Sequence, residues 1–470
     1  MGRRKRKQKK HPRVFIVGLD CFDPYLLFSK WIDELPNLKS LLTNGCWGKL
    51  QSSIPPITAP AWACMLSGVD PGTLGVYGFK HKKLGTYDGF YIANSEMIKY
   101  PRIWNLLSAR GFKVGFVGVP QTYPPKIVNG YMVTSFLTPD NNTQFTYPPT
   151  LKDEIEQWVG EYPFDCSDFR GTDKERILEK IYEMTRKRTT VTLKLLEKFD
   201  WNLFMTVYMG PDRIQHAFWR YMDKHHHAHT PNHKFKNVIR DYYRFIDQEI
   251  GKIIEATQDQ ETIYFVVSDH GAKRNNGTIA INEWLIREGY LTLKKPPQKE
   301  GSSLHTKNID WEKTKARGVG GYYGRIYLNV KGREPNGIID PTEYEEFIAE
   351  LTKKLENLTD NHGNPMNNKI FTPSEIFEEV NGDYPDLMVF FDDLAMRSAG
   401  TIGYSSIYLT NTDIGFDDAN HDWNGVFIIS GWDQGEKGEL EGVNIIDICP
   451  TILEIFRTKI PRHIQGKVIK

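Results

Sequence analysis

Five short stretches of this chain carry acids, imidazoles and one hydroxyl in positions that suit metal-assisted chemistry on phosphorus. Thr58 is the hydroxyl, within Ser52-Ser53-Ile54-Pro55-Pro56-Ile57-Thr58-Ala59-Pro60-Ala61-Trp62. Pro55-Pro56 bars regular structure before it, while Pro60 suits the first turn of a helix that Gly68 would stop. Thr58 is therefore expected just ahead of a helix N-terminus, where free N–H groups and the helix dipole favour an anion. Two roles fit that place: a nucleophile for phosphorus, or a plain helix cap. Asp212 and His216 are spaced to share one face of a helix, about one turn apart, after the apolar run Leu203–Tyr208. On its own such a pair is common and structural. Ser268-Asp269-His270-Gly271 puts an acid and an imidazole after another apolar run, with Gly271 able to turn sharply. Asn420-His421-Asp422 offers a third imidazole, and Asp20 ends the first run, Val14-Phe15-Ile16-Val17-Gly18-Leu19. Two-metal chemistry needs such oxygen and imidazole donors gathered around a nucleophile at adjoining strand ends.

The elements that must position these residues are readable as alternation. Apolar runs at Val14–Leu19, Val114–Val119, Leu203–Tyr208, Ile263–Val267, Leu387–Phe391 and Val426–Ser430 suit strands buried on both faces. Helical patterns fall at Ile103–Arg110, Ile177–Phe199, Val238–Ala256, Tyr344–Leu355 and Ile446–Phe456. This order predicts an α/β fold, a doubly wound and mainly parallel sheet with helices on both faces. Ligands then collect beyond the carboxyl ends of the strands. The pattern loosens over residues 275–382, read as an inserted smaller subdomain or lid. The catalytic core is expected over 13–274 and 383–470. Tyr123–Phe169, rich in Pro, Asn and Thr, reads as a long surface excursion overhanging the site.

The chain has 470 residues, 40% hydrophobic and 25% charged, with a formal net charge of +1. Those values suit an ordinary soluble protein and give no sign of a wholesale nucleic-acid or membrane binder. Five scattered cysteines without CxxC spacing argue against a disulfide framework and a cysteine metal site. Residues 1–12 are expected to form a disordered basic tail, with no more than weak contact to RNA or anionic lipid. No apolar stretch approaches the roughly 20 residues of a membrane span. No secretory signal follows the basic block, so the expected location is cytoplasmic. The tract His225-His226-His227-Ala228-His229 is expected to be a solvated loop.

The joint order of Asp20, Thr58, Asp212 with His216, Asp269-His270 and His421 resembles that of the alkaline phosphatase superfamily. Within it, the chain is similar to the type I phosphodiesterase/nucleotide pyrophosphatase-like branch, in a group of phosphohydrolases or phosphomutases. Gly18-Leu19-Asp20, Thr58-Ala59-Pro60-Ala61-Trp62, Asp212-Arg213-Ile214-Gln215-His216, Gly324-Arg325-Ile326-Tyr327-Leu328-Asn329 and Asp447-Ile448-Cys449-Pro450-Thr451 carry the resemblance. It implies an alkaline-phosphatase-like fold and two divalent ions. One would be held by Asp212, His216 and His421, and the other by Asp20, Asp269, His270 and the Thr58 oxygen. Zinc suits three imidazoles and three carboxylates, with manganese or magnesium as alternatives. The implied reaction is hydrolysis of a phosphodiester or phosphomonoester metabolite through a covalent phosphothreonine on Thr58. The alternatives are a phosphomutase, which passes the group to an acceptor, and a non-catalytic binding protein on the same fold. Absence of a C/S-x-P-x-R motif around Thr58 speaks against a sulfatase. Phe79 stands where nucleotide pyrophosphatases carry a phosphate-binding Asn, and Lys80, His81 or Asn282 are the candidates to replace that donor.

Overall fold

Residues 12–258 and 261–470 are described by the structure, a computed structural model. Apart from Pro12, the expected basic tail lies outside the described residues. Nine strands frame the functional end of the molecule: β1 (Arg13–Leu19), β2 (Gly45–Gln51), β3 (Val114–Val117), β4 (Gly130–Val133), β5 (Leu203–Tyr208), β6 (Thr262–Val267), β7 (Gly271–Arg274), β8 (Ala419–Asp422) and β9 (Asn424–Ser430). In a ten-stranded central sheet the neighbours run β2, β9, β6, β1, β5, β3, β4. From β6 to β4 every pairing is parallel. β9 is antiparallel to both β6 and β2.

The apolar runs are continuous because both faces of the sheet are covered. Phe15, Val17 and Leu19 of β1 join one core, and Val14 and Ile16 join the other. The first core is closed by α2 (Lys174–Lys198), α3 (Gly210–Met222) and α4 (Val238–Thr257). The second is closed by α1 (Thr58–Ser67) and α5 (Ile448–Ile455). Truncating a ring such as Phe15, 0% exposed, to alanine would cost about 3–5 kcal/mol. Two glycines serve this packing directly. A Cβ on Gly18 would stand 2.7 Å from the Trp62 ring, and Gly68 ends α1 at φ +73°.

Two expectations are corrected by the topology. The Tyr123–Phe169 stretch is not simply a surface excursion: β4 is an inner member of the central sheet, and Leu151–Val159 is a helix. A strand of four residues that begins on a glycine is too short a run to read from sequence. Leu387–Phe390 lies outside the central sheet. It pairs antiparallel with Gly324–Leu328 and Lys369–Phe371 in a separate four-stranded sheet that includes Ala316–Val319. That sheet has its own core with the helices Ile281–Arg287 and Tyr344–Glu356. A four-residue apolar run cannot announce which of two sheets it joins.

Candidate active site

Neighbouring strand ends bring all seven candidate residues into one buried cluster. Asp20 directly follows β1, α3 with Asp212 and His216 follows β5, and Asp269-His270 lies between β6 and β7. β2 points the same way as β6, so the loop from Ser52 to Ile57 delivers Thr58 to the same edge. His421 sits on β8, just before β9. Because β9 runs backwards, its N-terminal end faces the site, which is why this ligand precedes its strand. Thr58 is the first residue of α1 and is 3% exposed; the other six are 0–1% exposed.

The cap role for Thr58 does not hold, since Ile57 is the N-cap residue and no side chain caps the helix. The Thr58 Oγ1 lies instead 3.3 Å from His270 Nε2 and 3.5 Å from Asp20 Oδ1. Trp62, one turn further along α1, donates from Nε1 to Asp20 Oδ2 at 2.8 Å. One face of α1 thereby presents the hydroxyl and fixes the carboxylate beside it. Ligand atoms of Asp20, Asp269 and His270 lie within 4.8 Å of one another. On the other side, Asp212 Oδ1 lies 3.1 Å from His216 Nε2 and 3.6 Å from His421 Nε2. His270 and His421 stack with centroids 3.7 Å apart, and Asp212, His270 and His421 also group within 4.8 Å, so His270 borders both halves.

Each imidazole has its Nδ1 anchored. His421 Nδ1 donates to Pro56 O at 2.8 Å, His270 Nδ1 to Gly271 O at 3.1 Å, and His216 Nδ1 meets Asp417 Oδ1 at 2.5 Å. A carbonyl can only accept, so each contact turns Nε2 towards the cluster. Asp417 is itself bound by Arg170 Nε at 2.6 Å and by Arg397. Burial opposes ionisation of Asp417, but these guanidiniums outweigh it and hold the carboxyl well below its ordinary range. Sequence reasoning missed Asp417 and Trp62. The only signal was position, four residues before His421 and four after Thr58. Arg213, inside the quoted motif, bridges Asp212 and Asp165.

Charge is concentrated here. Burial, then Asp269 and Asp212, push Asp20 well above the usual carboxylate range. Burial would also raise Asp212, but His216 and Arg213 pull it well below that range. Burial lowers His216 and His270, yet Asp417 with Asp212 and Asp269 with Asp20 push them up to about 9. Burial and the neighbouring His270 hold His421 well below its ordinary value. Asp212 Oδ1, His216 Nε2, Asp269 Oδ2 and His421 Nε2 are buried, yet none has an oriented hydrogen-bond partner despite the short contacts. Buried lone pairs without a partner and crowded carboxylates are costly unless a cation satisfies them. The donor set therefore fits divalent ions.

The proposed replacements for the missing Asn donor are committed elsewhere. His81 Nε2 accepts from Tyr77 N–H at 2.9 Å, and Asn282 is bonded to Gly318 and Gly400. Lys80 is exposed and lies over the Phe90 ring. Phe79 packs edge-on against Phe136 and Tyr322, and Tyr322 stacks on His421 at 3.8 Å.

A mainly parallel sheet with acids, imidazoles and a hydroxyl collected beyond its strand ends defines an alkaline-phosphatase-like hydrolase of phosphoesters. Residues 14–417 match the family model for type I phosphodiesterase/nucleotide pyrophosphatase, and the chain belongs to that family. Among solved structures it is similar to human ectonucleotide pyrophosphatase/phosphodiesterase 5, with TM-score 0.56, 14% identity and 97% of each chain covered. The murine counterpart gives TM-score 0.55 at 14% identity over 96% of each chain. An inactive form of the murine protein in complex with AMP gives 0.54 at 14% identity, covering 96% of this chain and 97% of that one. No curated protein matches by sequence. Among the described residues, no helix is long and apolar enough to cross a membrane.

Proposed function

We propose that the chain hydrolyses a phosphodiester or phosphomonoester of a small metabolite through a phosphothreonine on Thr58. The observation that carries this reading is the Thr58 hydroxyl at the start of α1, held between Asp20 and His270 beside four orphaned ligand atoms. Asp212, His216 and His421 would hold one divalent ion. Asp20, Asp269, His270 and the Thr58 oxygen would hold the other. Zinc is the ion best suited to this set, ahead of manganese or magnesium. When bound, such ions would neutralise developing charge and lower the pKa of hydroxyl and water.

The chain's own residues supply the rest. Thr58 Oγ1 forms a bond to phosphorus as the bond to the leaving oxygen breaks, and the hydroxyl proton leaves with the departing group or to solvent. Water then cleaves the phosphothreonine, restoring the hydroxyl. The α1 dipole favours the anionic phosphate at that point. Trp62 and Asp417 keep Asp20 and His216 oriented, which preserves the geometry between the two steps. Phe79, Phe136 and Tyr322 form an apolar wall nearby, and the small four-stranded unit contributes Tyr322 to it. The AMP complex of the murine relative makes nucleotide esters the first substrates to try. A cytoplasmic setting belongs to the same proposal, supported by five free, buried cysteines.

Hydrolysis of p-nitrophenyl phosphate and bis-p-nitrophenyl phosphate, followed by mass spectrometry of acid-quenched reactions, tests this. Turnover of at least one ester with phosphate on Thr58 is expected. Turnover that survives in Thr58→Ala at the native rate would sink the nucleophile assignment.

A further inference from the structure

The thiol that follows Asp20 is placed unlike any other in the chain. Cys21 is 0% exposed, and its sulfur and the ligand atoms of Asp212 and His216 lie within 4.8 Å of one another. Asp212 Oδ1 and His216 Nε2 are two of the orphaned atoms, on residues 1% and 0% exposed. Among the described residues, no other cysteine joins such a group.

The backbone holds this sulfur in place. Cys21 N donates to Asp269 Oδ1 at 3.1 Å, Gln215 Nε2 donates to Cys21 O at 2.5 Å, and Phe22 N donates to Ser268 Oγ at 2.8 Å. Neighbouring strand ends and α3 therefore clamp the residue on both sides. Its φ is +60°, a region that glycine occupies freely and side-chain-bearing residues seldom do. A residue with a thiol stands there nonetheless. The Sγ lies 3.3 Å from Gly271 O, the weak contact of an S–H donor, which a stronger bond can replace.

We propose that Cys21 supplies a sulfur donor to the divalent ion that Asp212 and His216 would hold, making this half of the site selective for thiophilic ions such as zinc over magnesium or manganese. The inference rests on the two-ion reading above. Binding forms a sulfur–metal bond and releases the thiol proton to solvent, with no change of oxidation state. Sulfur prefers zinc, copper or cobalt to the hard ions, whereas the Asp20, Asp269, His270 and Thr58 set is mainly oxygen and tolerates them. The two halves should consequently differ in metal preference.

The full chain, stripped of metal and titrated with cobalt(II), gives the test. Two bound ions and a near-ultraviolet sulfur-to-cobalt charge-transfer band are expected, and Cys21→Ser should lose the band while its other cysteines remain. In competition, the zinc-over-magnesium preference of one site should fall on the order of tenfold or more in that variant. X-ray absorption of the zinc-loaded native chain needs no variant and should show a sulfur shell at about 2.3 Å. Two cobalt ions bound without the band, a band that persists in Cys21→Ser, or a zinc shell without sulfur would each overturn the inference and leave the two-ion reading standing. Failure to bind any divalent ion would overturn both.

Discussion

Two imidazole-rich regions lie on either side of the adjacent carboxylates Asp417 and Asp418, and only one of them is equipped to hold metal. In the segment His225 to His229, His226 is buried, but both its nitrogens are consumed. Nε2 donates to Asp418 O at 3.2 Å, and Nδ1 accepts from Ala228 N–H at 3.0 Å. His229 Nδ1 donates to Arg220 O at 2.7 Å. The Asp418 carboxylate is occupied by Arg220. Asp417, by contrast, takes only the outer nitrogen of His216 and leaves Nε2 facing Asp212. Histidine density in the sequence thus counts for little. What matters is whether one nitrogen is anchored and the other left over, at the meeting point of separate strands. The segment is also less solvated than its polar composition suggests, because His226 is buried against the Asp418 carbonyl, just before the strand that carries His421.

The largest expected break in this contrast comes from the nucleophile. Thr58→Ala should lower hydrolysis by on the order of a thousandfold or more while the ion of Asp212, His216 and His421 stays bound, whereas His226→Ala should leave turnover near native. Steady-state kinetics and elemental analysis on the two variants read this directly. Next is Asp417→Asn, which removes the charge from the group that orients His216. Metal affinity at one site should weaken by roughly 10–100-fold. Chelator-competition titration measures it, and an unchanged affinity would make Asp417 merely structural.

Much of this arrangement was legible in the chain, for identifiable reasons. Asp20, Asp212 and Asp269 were readable because each follows an apolar run, and parallel strands deliver such residues to one edge. His421 was harder to place, since the strand that follows it, β9, is antiparallel to β6 and the ligand comes before that strand. Trp62 and Asp417 were silent because their role is a single contact to a ligand, which no periodicity encodes. In the sequence Cys21 is one of five scattered cysteines, and only the fold reveals the company it keeps. β4 was hidden by its brevity, and the partnership of Leu387–Phe390 by the presence of two sheets with similar strands.

A smaller effect concerns acid. Burial, together with His227 and Arg220, lowers His226 to about 3, and burial with Arg325 lowers His81 to about 3. The unfolded chain takes up these protons near pH 6.5, while the folded chain refuses them until about pH 3. Stability should therefore fall progressively as pH drops from about 6.5 towards 3, and level off with respect to these groups below that. His226→Gln should flatten part of that fall in urea titrations at several pH values. Its cost at neutral pH is about 1–3 kcal/mol, from leaving Asp418 O poorly paired. An unchanged pH slope would show that His226 is not held neutral.

The most direct measurement is the metal content of three purified proteins, native, His421→Ala and His226→Ala, determined by elemental mass spectrometry alongside hydrolysis of bis-p-nitrophenyl phosphate. Two divalent ions per chain are predicted for the native protein and for His226→Ala, with one ion and most of the activity lost in His421→Ala. Equal metal content in all three, or full activity in a metal-free native chain, would contradict the account.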